Sequence, residues 1–88
     1  MNIDRLTIVN IMLEGAQKCA NDSNDSMAIE LFERALYDLE KIYERNSIKL
    51  APVLAELSEC YEKTGHDLKA RECRTRLSSL LRLISKSA

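Results

Sequence analysis

Apolar side chains recur along this chain at intervals of three and four residues, and the recurrence is interrupted three times. A first run spans roughly Ile3 to Ala20, with Leu6, Val9, Met12, Leu13, Ala16, Cys19 and Ala20 in step. A second, roughly Asp25 to Arg45, carries Ala28, Leu31, Phe32, Ala35, Leu36, Leu39, Ile42 and Tyr43. A third, roughly Leu50 to Lys63, carries Leu50, Val53, Leu54, Leu57, Cys60 and Tyr61. A fourth, roughly Asp67 to Ser85, carries Ala70, Cys73, Leu77, Leu80, Leu81 and Ile84. All four fit the 3.6-residue period of a helix with one buried stripe, and none alternates at period two. The pattern predicts an all-α chain of four helices.

The interruptions have the chemistry of helix ends. NDSNDS (21–26) separates the first two runs, RNS (45–47) the middle two and TGHD (64–67) the last two. Gly65 suits the left-handed residue that closes a helix, and Asp67 suits the cap of the next. Pro52 stands near the start of the third run, where a missing N–H costs little. Short connections make successive helices antiparallel. Residues 1–88 then form one helical domain, small enough to bury only roughly 60–65% of its unfolded surface.

NDSNDS has two rival readings. Asp22, Asn24, Ser26 and Glu33 fall at positions 1, 3, 5 and 12 of a twelve-residue calcium loop, but Met27 stands where its sharp turn needs glycine. Both NDS triplets also match the N-glycosylation pattern, which matters only in a secreted chain. The reading adopted is a turn followed by a cap, with Asn24 or Asp25 accepting from the free N–H groups of the second helix.

Composition narrows the function without naming it. Apolar residues at 45% and charged residues at 31% describe a folding, water-compatible chain. The net charge of −1 hides an asymmetry. Residues 1–65 carry 7 Lys/Arg against 12 Asp/Glu, a net −5, and residues 66–88 carry 6 against 2, a net +4. The basic residues are Lys69, Arg71, Arg74, Arg76, Arg82 and Lys86, with no aromatic residue among them. That absence and a pI of about 5.8 disfavour a nucleic-acid partner. Complementarity within the fold is the plainer reading of the asymmetry. Three cysteines, with no CxxC and a single histidine, do not make a structural zinc set, so no metal or cofactor is expected. Leu6–Leu13 after Arg5 is too short to span a bilayer, and Asn10 and Glu14 break it as a leader. The expectation is a cytoplasmic protein with reduced thiols and no membrane segment.

Catalytic signatures are missing from the sequence. It has no phosphate-binding glycine loop, no nucleophile elbow and no HExxH. His66 stands by a turn glycine without a partner to activate, and Glu56, Glu59 and Glu62 read as a solvated acidic face. No enzyme is expected.

Sliding the chain against itself by 42 residues superimposes Met12 on Leu54, Ala16 on Ser58, Cys19 on Tyr61, Ala28 on Ala70 and Ala35 on Leu77. A fixed period of helix pairs is the mark of a helical solenoid. The second copy, LAELSECYEKTGHDLKA (54–70), resembles a tetratricopeptide repeat: Leu54, Leu57, small Ser58, Tyr61, Gly65 and small Ala70 fall at that family's spacings. In the first copy Ala16, Ala28, Phe32 and Ala35 fit, while Gly15, Ser23 and Cys19 replace a usual Leu, Gly and Tyr. The long helix AIELFERALYDLEKIYERNS (28–47) makes the period similar to the kinesin-light-chain variety. The expected architecture is two helical hairpins, repeat one over 3–45 and repeat two over 47–85. Ala16, Ala28, Phe32, Ala35, Leu57, Ser58, Tyr61, Gly65 and Ala70 are the packing and turn residues.

What the resemblance implies is an adaptor or chaperone that binds a protein or peptide on the concave face lined by the first helix of each pair. Carried over by register, that face holds Asn10, Leu13, Glu14, Gln17 and Asn21, then Ala55, Glu56, Glu59 and Lys63. Its acidic and amidic character disfavours an acidic tail as ligand and favours a neutral or basic peptide. The apolar residues also outnumber what one partner helix covers. Leu77, Leu80, Leu81, Leu83 and Ile84 on the last run, and Ile3, Ile8 and Ile11 on the first, predict apolar patches closed by a partner protein or by a homo-oligomer. A structural homo-oligomer and a nucleic-acid-associated regulator using the basic last helix are the alternative functions.

Overall fold

A computed structural model describes residues 3–87, with side chains through Ser85; the side chain of Lys86 lies outside the described set. The chain is all-α: α1 (Arg5–Asn21), α2 (Asp25–Tyr43), α3 (Ala51–Lys63) and α4 (Asp67–Ser87), with one 3-10 turn at Ile48–Leu50 before α3. α1 packs chiefly on α2 and α3 on α4, giving two antiparallel hairpins that meet mainly through α2 and α3.

Local chemistry sets the ends. α1 begins at Arg5, two residues later than its apolar pattern, because Asp4 caps it: Thr7 N–H donates to Asp4 Oδ1 at 2.8 Å. That bond holds the Asp4 carboxyl below its ordinary range. Asn24 caps α2 by accepting from Met27 N–H at 3.4 Å. Ser26, Met27 and Ala28 therefore lie in the first turns of a helix, and the calcium-loop frame does not form. α2 stops at Tyr43, before the expected Arg45, where Glu44 takes φ 75°. Ser47 Oγ accepts from Lys49 N–H and starts the 3-10 turn. Pro52 stands in the first turn of α3.

The two hairpin turns share one backbone. Asn24 N–H donates to the Cys19 carbonyl at 2.8 Å, and His66 N–H donates to the Tyr61 carbonyl at 2.8 Å. Ser23 N–H reaches Ala20 and Gly65 N–H reaches Glu62. Asp22 N–H reaches Lys18 and Thr64 N–H reaches Cys60. Every one of these pairs is separated by 42 residues. The left-handed residue is Ser23 (φ 64°) in one turn and Gly65 (φ 79°) in the other. This is the Schellman closure of a helix, drawn twice.

Small residues occupy buried positions on all four helices: Ala16, Ala28, Ala35 and Ala70 are fully buried and Ser58 nearly so. Phe32, Leu50, Leu54 and Leu57 fill the space between hairpins. Burying each such side chain stabilises the fold by about 1.5–3 kcal/mol. The Cα envelope measures 40 × 36 × 16 Å, a slab little thicker than one helix with its side chains. A slab leaves broad faces open, and those faces hold the candidate surfaces.

Candidate protein-interaction surfaces

α1 and α3 are the walls of a shallow groove of about 300 Å³, floored by α2. Leu13 and Gln17 come from α1, Phe32 from α2, and Pro52, Val53, Ala55 and Glu56 from α3. The lining is mainly apolar, with one carboxylate and one amide at its edges. This chemistry suits a peptide that contributes one or two apolar side chains and a donor or cation.

The groove gathers only part of the sequence-predicted face. Leu13, Gln17, Ala55 and Glu56 line it; Asn10, Glu14, Asn21, Glu59 and Lys63 do not. Asn21 Oδ1 accepts from Gln17 Nε2 at 3.1 Å on α1, and Lys63 pairs with Glu59 at 3.5 Å on α3. Pro52 and Val53 were missing from the predicted lining. They lie one turn before Ala55 and Glu56, at the end of α3 nearest the groove, and the i, i+3, i+4 spacing places them on the same side.

The hairpins are clamped on the opposite side. Tyr61 Oη on α3 donates to Glu33 Oε2 on α2, with Lys69 Nζ 5.7 Å from the Tyr61 ring centroid. Burial, then the hydrogen bond and charge of Glu33, push the Tyr61 phenol well above its ordinary range. Arg76 on α4 reaches Glu40 Oε1 at 3.4 Å and the Arg45 carbonyl at 3.5 Å. Arg74 bridges to Glu62 at 2.6 Å. Two cations of the basic last helix are thus engaged with carboxylates of the acidic part of the chain.

The terminal patch differs from its predicted composition. Leu80 is turned inward and buried in the core, beside Arg45 and Asn46. Leu77 is half-buried, while Leu81, Leu83 and Ile84 are exposed. At the start of α1, Ile3, Leu6, Ile8 and Ile11 are exposed.

Cys60 and Cys73 are buried, and desolvation pushes both thiols up, away from the thiolate that a nucleophile needs. His66 Nδ1 lies 2.7 Å from Thr64 Oγ1, within the turn. Among the described residues no group of three or more His, Cys, Asp or Glu is placed to hold a metal ion, and no helix is long and apolar enough to cross a membrane. No family model matches the chain, and neither do any curated protein or solved structure.

Proposed function

We propose that this chain is a protein–protein interaction module, an adaptor or chaperone of the tetratricopeptide-like kind, that binds a neutral or basic peptide segment in the groove between α1 and α3. The observation that carries the reading is the groove itself. Two first helices of successive hairpins wall an open, mainly apolar trough with Glu56 as the charge in its lining. The 42-residue match of the hairpin turns supports the helical-repeat part of the reading. Three cysteines outside any disulfide, two of them buried, support a reducing, cytoplasmic setting.

The test is panning of a random-peptide phage library on the immobilised protein, followed by fluorescence anisotropy on the enriched peptide. The reading expects apolar peptides bearing Lys or Arg. It also expects Glu56→Lys and Gln17→Lys, the second at an exposed position of the same lining, each to weaken binding tenfold or more without lowering the unfolding midpoint. No enrichment, or an enriched peptide indifferent to both substitutions, overturns it.

A further inference from the structure

The repeat relation assigns a mate to each exposed apolar end. α3 stands in the second hairpin as α1 stands in the first. Leu50, the last residue of the 3-10 turn, and Val53, in the first turn of α3, are 0% and 3% exposed where the hairpins meet. Their counterparts 42 residues earlier are Ile8 and Ile11, which are 45% and 59% exposed. On the other side of the same junction, Leu39 of α2 is 4% exposed, and its counterpart Leu81 of α4 is 51% exposed. Ile42 is half-buried, and its counterpart Ile84 is exposed. The apolar residues left open at the start of α1 and the end of α4 therefore repeat the two halves of a junction that the molecule already builds once, between α2 and α3.

We propose that a second copy of this chain supplies the missing half: the end of α4 in one copy docks on the start of α1 in the next, head to tail. The occupant is argued from the charges as well as the apolar match. Phe32 and Glu56 share the groove at the internal junction. Their counterparts are Arg74 and Glu14, which are opposite in sign, and between copies they would be brought to the same place. Arg74 retains an exposed side chain beyond its bridge to Glu62. The outer surface of the first hairpin adds an acidic rim. Glu30, Glu33 and Asp38, with Arg34, line a depression next to Ile8, facing the docked α4 with its Arg82. Two internal contacts are not reproduced: the Arg76–Glu40 pair maps onto Arg34 and Arg82, which are like charges, and the Tyr61–Glu33 bond maps onto Cys19 and Thr75. Arg71 and Ser78 also replace Ile29 and Leu36. The junction between copies is accordingly weaker than the internal one and depends on concentration. A heterologous contact of this kind closes into a ring or continues as a stack. It uses the ends of the slab and leaves the groove open, so it stands or falls independently of the peptide-binding reading.

The experiment pairs two charge insertions, Ile11→Glu and Leu81→Glu, each at a position more than half exposed, with circular dichroism and denaturant midpoints to confirm an intact fold. By sedimentation velocity, the wild-type protein is expected to grow with concentration in steps of 10.0 kDa. Each variant alone is expected to stay monomeric, its association weakened roughly a hundred-fold or more by an unpaired buried charge. Mixed in equal amounts, the two variants are expected to form a 1:1 heterodimer, because each keeps the face the other has lost. A wild-type protein that stays monomeric at its highest soluble concentration overturns the proposal. So does a dimer that survives one substitution and is lost with the other, with no rescue on mixing, since that pattern marks a symmetric contact of one end with itself.

Discussion

α1 and α3 hold the same place in successive hairpins and are nearly equal in average hydropathy, yet α3 buries six of its thirteen residues and α1 two of its seventeen. Composition does not separate them; neighbours do. α3 is packed between α2 and α4, while α1 packs chiefly on α2. A stripe of apolar residues becomes a core only where a second surface meets it. The burial of this molecule is therefore concentrated around α3, and the start of α1, like the end of α4, is more loosely tied to the rest.

The sharpest test of that contrast is a matched pair of truncations. Leu54→Ala removes a fully buried side chain and is expected to cost about 3 kcal/mol. Met12→Ala, at the counterpart position and only half-buried, is expected to cost about 1 kcal/mol. Urea unfolding measures both, and equal losses would break the comparison.

The clamp on α3 has no equal on α1, where Cys19 stands in the place of Tyr61, and pH exposes the difference. A phenol raised in the folded state ionises more readily in the unfolded chain. The stability it contributes is complete below about pH 10, the ordinary range of tyrosine, and falls as the pH rises above it. Tyr61→Phe is expected to remove up to about 1.4 kcal/mol per pH unit of that alkaline loss. The check is the slope of unfolding free energy between about pH 10 and 12, with wild type run alongside; parallel slopes would mean that Tyr61 carries no such linkage.

The glycines respond with opposite signs. Gly65 holds φ 79° with nothing within 4 Å of an added Cβ, so Gly65→Ala is expected to cost about 1 kcal/mol through backbone strain alone. Gly15 lies inside α1, where an added Cβ meets Leu31 Cδ1 at an ordinary 3.6 Å. Gly15→Ala is expected to stabilise by about 0.5–1 kcal/mol and to slow amide exchange along α1. The smallest effect belongs to the first turn. Ser23 occupies the left-handed position that Gly65 holds in the second, and Ser23→Gly is expected to raise stability by about 0.5 kcal/mol. Thermal unfolding of the three variants orders them.

Much of this architecture was legible because its causes are local. Four stripes at period 3.6 gave four helices, and the chemistry of Asn24 and Gly65 placed two of the turns. The 42-residue offset seen in the side chains reappears in the backbone hydrogen bonds of both turns. The boundaries that moved did so for reasons one residue wide. Asp4 takes the capping position that Ile3 could not, and Glu44 adopts a left-handed conformation that ends α2 early.

Periodicity by itself determined which residues share a helix face, because that depends only on the rise and twist of one helix. It could not determine which face would find a neighbour. Leu80 and Leu81 sit side by side in the sequence with the same side chain; tertiary structure buried the first beside Arg45 and left the second open. The same holds for the groove, whose lining comes from three helices, and for the Tyr61–Glu33 bond, whose partners lie 28 residues apart. Those outcomes rest on where one helix stops relative to another, and that is decided only when the hairpins are packed together.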